Sequence, residues 1–164
     1  MGELKEFESI VKIRFADCDP IGHLNNVKYL EYMLNAREDH VEDNYGFTYQ
    51  EYAQKTGCTW IAIENQIAYL KEVKANTKVK ITSKTIMMDK RTALVEILMK
   101  ALDSDLVYAV LWVKVIHFNL KTRKSQEHTP EITEQFGKFL VKISEKTFQE
   151  RTDNLRKINK FVGI

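Results

Sequence analysis

Residues that could do chemistry are concentrated in one short stretch, FADCDPIGHLNN, which runs from Phe15 to Asn26. It contains the carboxylates Asp17 and Asp19, the imidazole of His23 and two successive asparagines that suit a helix N-terminus. A carboxylate can attack a carbonyl carbon or activate water, and the unpaired amides of a helix N-terminus can stabilise the negative charge that develops on the carbonyl oxygen. The stretch therefore suits the hydrolysis of a carbonyl compound.

The elements on either side of this corner can be predicted from residue periodicity. Ser9 to Phe15 alternates apolar and polar residues, as a half-buried strand does. Asn26 to about Asp39 has helical spacing and contains neither Gly nor Pro, which predicts one long helix. A short surface helix is predicted over Phe47 to Lys55, with Thr48 and Glu51 forming a capping box. The apolar stripe of the long helix is expected to contain Val27, Leu30, Leu34 and Val41, with Met33 flanking it.

Four long strands are predicted after the helices, separated by short polar breaks that favour an antiparallel meander. They are Thr59 to Leu70, Thr77 to Met87, Thr92 to Leu102 and Leu106 to Phe118. The last of them is apolar on both faces, which indicates that both faces are covered. After Pro130 the chain is charged, with apolar residues at helical intervals. The sequence therefore predicts an α+β domain over residues 1–130 and a helical extension over residues 131–164.

Composition excludes several classes of protein. A chain of 164 residues is one ordinary domain, and a formal net charge of +2 with no dense basic block argues against a nucleic-acid partner. Cys18 and Cys58 have neither zinc-ligand spacing nor a disulfide framework, so we expect a reducing cytoplasm and no metal or other cofactor. We also expect no membrane partner, because no apolar run approaches the length of a membrane span.

The corner and the start of the helix together contain the string D-x-D-x-x-G-H-x-N-N-x-x-Y-x-x-Y. Its residues are Asp17, Asp19, Gly22, His23, Asn25, Asn26, Tyr29 and Tyr32. This string resembles the signature of the hotdog-fold acyl-CoA thioesterases of the 4-hydroxybenzoyl-CoA thioesterase-like family, and the order of elements is similar over roughly Glu8 to Pro130. The resemblance implies a long central helix wrapped by a curved antiparallel sheet of about five strands, with thioester hydrolysis in a cleft between two chains. It also implies a homodimer or a dimer-based homotetramer, but it does not identify the acyl group or choose between coenzyme A and acyl-carrier protein.

The resemblance places the catalytic carboxylate at Asp19, as nucleophile or general base. The basic turn Lys90-Arg91-Thr92 matches the place where the family holds the phosphates of coenzyme A. The candidate catalytic residues are Asp19, His23, Asn25 and Asn26, and the candidate substrate-binding residues are Gly22, Tyr29, Glu64, Lys90, Arg91 and Thr92. The helix-terminal amides near the two asparagines would polarise the thioester carbonyl.

Several of these residues, and other polar residues of the chain, also have a structural interpretation. Asp17 is expected to brace the loop, and the asparagines can cap the helix. The basic turn and Glu64 can simply be solvated. His117 is expected to be a hydrogen-bonded core residue, and His40 and His128 are expected on the surface.

Two other functions stay open on this sequence. One is a non-catalytic module that binds acyl-CoA in the same cleft, and the other is a hotdog hydratase or dehydratase that acts on a thioester. The last strand also predicts an oligomer, because one long helix can cover only one of its two apolar faces and a second chain would cover the other. The competing explanation is that the C-terminal extension folds back and covers that face instead. The residues that would do so are Phe139, Leu140, Ile143 and Phe148.

Overall fold

The structure, a computed structural model, describes residues 4–162. The elements are β1 (Phe7–Lys12), a 3-10 turn (Phe15–Asp17), α1 (Asn26–Asn44), α2 (Tyr49–Thr56), β2 (Cys58–Tyr69), β3 (Lys78–Met88), β4 (Thr92–Ala101), β5 (Val107–Asn119), β6 (Lys124–Ser125), α3 (Pro130–Gly137) and α4 (Phe148–Phe161). The predicted α+β order is confirmed, and α1 extends five residues past the predicted end at Asp39 to Asn44. The predicted capping box at α2 is also present, since the Glu51 amide donates to Thr48 Oγ1 at 3.0 Å.

The strands form one antiparallel sheet in the order β1-β3-β4-β5-β2, and β6 pairs with β5. The meander predicted for the last three long strands is confirmed. The prediction that β2 continues this meander is wrong, because β2 pairs with β5 at the far edge of the sheet.

The polar break between β2 and β3 explains this error. It is not a hairpin turn, because the amides of Leu70 and Lys71 donate to the Tyr108 carbonyl at the start of β5. The segment then contacts the corner, where the Leu24 amide donates to the carbonyl of the buried residue Val73 at 2.7 Å. The break therefore leads from one edge of the sheet towards the other, past the residues that precede α1.

Helix α1 packs on one face of the sheet and forms the main core. Tyr29, Met33 and Ala36 are buried in it. The sheet contributes alternate residues, among them Val79, Ile81, Val95, Ile97, Met99, Ala109, Leu111 and Val113. The predicted stripe is only partly right, because Val27 is 69% exposed and Leu34 is 36% exposed.

Polar residues occupy part of the buried face of α1, which explains why the predicted apolar stripe does not coincide with that face. Arg37 and His40 lie on the buried face of α1, where hydroxyl groups of the sheet accept or donate hydrogen bonds. His40 Nδ1 is 2.7 Å from Ser83 Oγ, and its Nε2 is 3.1 Å from Ser9 Oγ. The prediction that His40 lies on the surface is therefore wrong. Burial, with a smaller contribution from Arg37, lowers its pKa, so the ring is neutral near pH 7.

His117 and His128 lie together beside an aromatic cluster. His117 is a hydrogen-bonded core residue, as predicted, with Nε2 2.8 Å from the Tyr52 hydroxyl. His128 is buried rather than exposed, so that prediction is wrong. Its Nε2 accepts a hydrogen bond from the Trp60 indole at 2.9 Å, and burial lowers its pKa.

The C-terminal extension covers the other face of the sheet. Leu155 of α4, together with Phe148 and Ile143, packs on a second apolar cluster. The sheet residues in that cluster are Ile86, Leu98, Val107, Val110 and Trp112. The second apolar face of β5 is thus covered by its own chain, as the competing explanation required. Of the other predicted covering residues, Phe139 stacks on Tyr45 instead.

An ion pair fixes α4 to this outer face. Glu96 of β4 is buried, and its carboxylate accepts hydrogen bonds from Arg151 Nε and Nη2, both at 2.7 Å. The same carboxylate accepts a hydrogen bond from the Trp112 indole at 2.8 Å. At the far end of the helix, the Asn159 amide group bonds to both backbone polar groups of Val107.

Candidate active site at the start of the long helix

The corner before α1 is a tight loop with Asp19 at its base. One carboxylate oxygen, Oδ1, accepts hydrogen bonds from the backbone amides of Ile21 and His23, each at 3.0 Å. The Asp19 amide donates to the His23 carbonyl, and Gly22 has a φ of 84°, which favours glycine. The other oxygen, Oδ2, makes no hydrogen bond with any residue in 4–162. The loop therefore orients the carboxylate and leaves one oxygen open.

Asp17 ties the corner to the helix. Its Oδ2 accepts a hydrogen bond from the Tyr32 hydroxyl at 2.5 Å, and Lys28 Nζ lies 3.8 Å from Oδ1. Its carbonyl accepts from the Asn25 amide. This placement agrees with a bracing role, as the sequence suggested.

The backbone amides at the helix N-terminus differ in their hydrogen bonding. Asn25 is the N-cap, and its side chain accepts from the Val27 amide at 3.2 Å. The Asn25 amide itself donates to Asp17, and the Lys28 amide donates to the Asn25 carbonyl. The Asn26 amide has no hydrogen-bond partner within the described part of the chain. Of the amides that the sequence proposed for polarising a carbonyl, only that of Asn26 is therefore available.

His23 is paired with a residue that the sequence did not single out. Its Nδ1 lies 3.0 Å from Glu72 Oε2, and its side chain is about one-quarter exposed. Glu72 comes from the segment between β2 and β3, which reaches the corner by the path described above. A lone carboxylate in a polar break gave no signal of this contact.

These residues line a depression of about 310 Å³. Its walls are Asp19, His23, Leu24, Asn26, Tyr29, Tyr69, Leu70, Lys71 and Glu72. Tyr69 donates its hydroxyl hydrogen to the Asn26 carbonyl at 3.0 Å, which joins the end of β2 to the start of α1. Burial raises the pKa of Tyr29 to about 12, so its phenol is neutral at physiological pH. The structure thus brings together five of the candidate residues, namely Gly22 in the loop with Asp19, His23, Asn26 and Tyr29 in the wall.

The basic turn Lys90-Arg91-Thr92 does not join this group within one chain. It connects β3 to β4 at the end of the sheet opposite the corner, and the eleven residues of β3 span roughly 35 Å. The amides of Arg91 and Thr92 donate to Asp89 Oδ1. Hydrogen bonding by the Thr92 side chain, followed by that of its amide, lowers the pKa of Asp89. The Arg91 guanidinium donates to the Ser125 carbonyl at 3.0 Å.

Glu64 also lies apart from the corner. It is exposed in the middle of β2 and borders a groove on the outer face that Thr92 also lines, where β2, β4 and β5 meet the start of α4. Its neighbour across the strand pair is Lys114.

A second cavity, also about 310 Å³, lies between the C-terminal half of α1, α2, α3 and the inner face of the sheet. It is more apolar than the depression at the corner and holds none of the predicted catalytic residues. Trp60 and Thr59, at the start of β2, form part of its wall.

Two further features concern metals and membranes. Residues 4–162 contain no cluster of three or more His, Cys, Asp or Glu side chains arranged to hold a metal ion. No helix in the same range has both the length and the apolar character needed to cross a membrane.

Comparison with solved structures identifies the fold. The chain is similar to hypothetical protein SAV2348 from Staphylococcus aureus in complex with CoA, with a TM-score of 0.76, 16% identity and coverage of 88% of this chain and 91% of that one. It is similar to DHNA-CoA thioesterase from Staphylococcus aureus, with a TM-score of 0.70, 18% identity and coverage of 81% and 89%. It is also similar to Slr0204, a 1,4-dihydroxy-2-naphthoyl-CoA thioesterase from Synechocystis, with a TM-score of 0.71, 11% identity and coverage of 80% and 96%. Identities this low establish the fold alone, which is the hotdog fold.

Sequence comparison then identifies the family. The family model of the thioesterase-like superfamily matches residues 13–136, and the chain belongs to that superfamily. No curated protein matches the sequence. The matched range begins just after β1, includes the corner, strands β2 to β6 and most of α3, and stops before α4.

Proposed function

We propose that the protein is an acyl-CoA thioesterase that hydrolyses a thioester to a carboxylic acid and CoA at the corner before α1. The observation that carries this proposal is the arrangement around Asp19. One oxygen of its carboxylate is held by two backbone amides, and the other makes no hydrogen bond within residues 4–162. Asn26, whose amide also lacks a partner in that range, lines the same depression. A base or nucleophile beside a donor for the developing oxyanion is what thioester hydrolysis requires.

The reaction can follow either of two balanced routes. As a general base, Asp19 takes a proton from water while the water oxygen bonds to the thioester carbon and the Asn26 amide binds the carbonyl oxygen. The tetrahedral intermediate then expels the CoA thiolate, which takes up a proton. As a nucleophile, Asp19 displaces the thiolate to form an anhydride, and water cleaves that anhydride to regenerate the carboxylate.

His23 and Tyr29 are assigned supporting roles in this proposal. Glu72 holds His23 through Nδ1, which directs Nε2 to a different partner and suits a proton carrier for the departing thiol. Tyr29 stays neutral and contributes an apolar wall, because its ring packs edge-on against Tyr69 with 5.0 Å between centroids.

We further propose that two chains pair through their β2 strands. This strand is at the edge of the sheet, its residues 61–66 are exposed, and Ile61 and Ile63 are among the exposed large apolar side chains. A long unpaired edge of this kind is a template for pairing with another chain. Antiparallel pairing near the strand centre would bring Tyr69 of one copy towards Trp60 of the other.

This pairing would complete the substrate site. The basic turn lies at the same end of the sheet as Trp60, so the second copy would bring it towards the corner of the first. Lys90 and Arg91 would then bind the phosphates of coenzyme A while Asp19 of the other copy acts on the thioester. Because α4 already covers the outer face, we favour a dimer over a tetramer built through that face.

The compartment is part of the same proposal. Cys18 and Cys58 are both free thiols, which suits a reducing compartment such as the cytoplasm.

A panel of acyl-CoAs tests the function. Protein is added to each thioester, with no metal added and EDTA present, and free thiol is followed. Thiol release supports the thioesterase. A change in ultraviolet absorbance without thiol release would instead indicate a hydratase or dehydratase, and saturable binding with neither change would indicate a binding module.

A further inference from the structure

The apolar cavity between α1, α2, α3 and the sheet contains one charged group that the hydrolysis mechanism does not use. This group is the guanidinium of Arg37, and the residue is buried to 8% exposure. Around it the wall is mostly aromatic and aliphatic, including Tyr45, Tyr49, Trp60 and Phe136. A volume of about 310 Å³ is at the lower end of the range for small-molecule sites.

Arg37 is held by neutral hydroxyl groups. Its Nη1 donates to Ser83 Oγ at 3.1 Å, and its Nη2 donates to Thr85 Oγ1 at 3.0 Å and to the Tyr45 hydroxyl at 3.2 Å. The guanidinium also lies over the Tyr45 ring, 5.4 Å from its centroid. These contacts fix its position and leave its charge uncompensated.

No carboxylate in residues 4–162 forms an ion pair with Arg37. Glu38 borders the cavity, but it is exposed and forms no salt bridge with Arg37. The histidine next to this network, His40, is bonded to Ser83. Burial and, second, Arg37 itself lower its pKa, so the ring is neutral near pH 7 and does not balance the charge of Arg37. A buried charge without a partner is costly, and buried cations are ordinarily paired.

The guanidinium also keeps donors in reserve. An arginine has five N–H groups, and three are used here. The only fully buried polar side-chain atom without a hydrogen-bond partner in the described residues is Thr152 Oγ1. Arg37 Nε has no hydrogen-bond partner in these residues either, so it is not fully buried. Arg37 lines the cavity, and the cavity is the open space beside it.

We infer that this cavity binds the apolar body of a ligand that ends in a carboxylate, and that Arg37 pairs with the carboxylate. Where the ligand is a substrate, the inference deepens the proposed function and rests on it. The acyl group of the thioester would then be an ω-carboxyacyl group. In the proposed dimer, Trp60 at the cavity wall lies towards the corner of the second copy, so an acyl group attached there could enter. The same carboxylate chemistry could instead come from a free acid.

Two measurements separate these sources. The first is binding of octanoate and of neutral octanamide to the protein, followed by calorimetry without any thioester. Octanoate is expected to bind about tenfold or more tightly than octanamide, the scale of a hydrogen bond to a charged group. The second is kcat/KM for octanedioyl-CoA against octanoyl-CoA, repeated with the hexanoyl and decanoyl pairs. A substrate site predicts about a tenfold preference for the dicarboxylic member of at least one pair.

Arg37→Met should abolish both preferences, and Arg156→Met, the same substitution on the exposed side of α4, should leave both unchanged. If the methionine variant fails to fold, Arg37→Lys replaces it, because lysine keeps the positive charge but lacks the guanidinium. The comparisons of octanoate with octanamide and of the paired acyl-CoAs on the wild-type protein need no variant. Arg37-dependent binding of octanoate without a kinetic preference would support the carboxylate site and assign it to a free acid. Arg37-dependent binding with no thioester hydrolysed would support the site and refute the proposed function. Equal binding of octanoate and octanamide, with no kinetic preference, would overturn the inference.

Discussion

Two inactive variants should restore activity to each other if the substrate site is shared between two chains. In one chain the basic turn and Asp19 lie at opposite ends of β3, roughly 35 Å apart by the rise of its eleven residues. The first variant is Asp19→Asn, which removes the carboxylate. The second is Lys90→Glu with Arg91→Glu, which reverses the charge of the turn and should raise KM, because phosphate contacts remote from the carbonyl contribute mostly uniform binding.

The size of the recovery follows from the pairing. When equal amounts of the two variants are unfolded together and refolded, random association makes about half of the dimers mixed. Each mixed dimer has one intact site, made from Asp19 of one chain and the basic turn of the other, and one site with both defects. About a quarter of wild-type activity is therefore expected, measured as thiol release at substrate concentrations below KM.

The contradicting result is equally definite. If native mass spectrometry finds mixed dimers while the mixture shows only the mean activity of its two parents, each site is contained within a single chain. A full-length protein that light scattering shows to be monomeric, at a concentration at which it hydrolyses the substrate, would refute the shared site altogether.

Three further predictions concern stability. Arg151→Met leaves the buried carboxylate of Glu96 without its bidentate partner, so the free energy of unfolding in urea should fall by about 3 kcal/mol, and adding Glu96→Gln should recover much of the loss. Asp17→Asn removes a charged acceptor of a tyrosine hydroxyl, so its main effect should be a lower melting temperature rather than a lower kcat. His40 and His128 have lowered pKa values in the folded chain, so the unfolded chain binds more protons than the folded chain just below pH 6.5. The free energy of unfolding should therefore be at its full value above that pH and should fall on acidification. The slope should be up to about 1.4 kcal/mol per pH unit for each histidine.

Controls make each of these results decisive. Arg156→Met is the matched control on α4, and a loss as large as that of Arg151→Met would rule out the ion pair as the cause. A kcat loss from Asp17→Asn with an unchanged melting temperature would contradict the bracing role. Unfolding free energies that stay constant from pH 7 to pH 5 would contradict neutral buried histidines.

The features that the sequence predicted well are local ones. The capping box at Thr48 and the corner before α1 depend on residues a few positions apart, so residue types alone indicate them. The position of β2 beside β5 depends on pairing across the whole sheet, and the polar break after Leu70 has the composition of an ordinary turn. The contact between His23 and Glu72 was missed for the same reason.

Buried polar groups account for the other errors. Helical periodicity counts apolar residues, so it placed Val27 and Leu34 on the buried face of α1, where the structure has Arg37 and His40. Those two are buried because Ser83 and Thr85 on β3 present hydroxyl groups to α1, and that match is visible only in three dimensions.

Thiol release by Asp19→Asn tests the central claim most directly. Asparagine retains an oxygen that can accept the Ile21 and His23 amide bonds, so the corner should keep its shape while the basic, nucleophilic carboxylate is lost. The account predicts that kcat for the best acyl-CoA of the panel falls roughly a hundredfold or more, with substrate binding retained. Equal turnover by Asp19→Asn and the wild-type protein would contradict it.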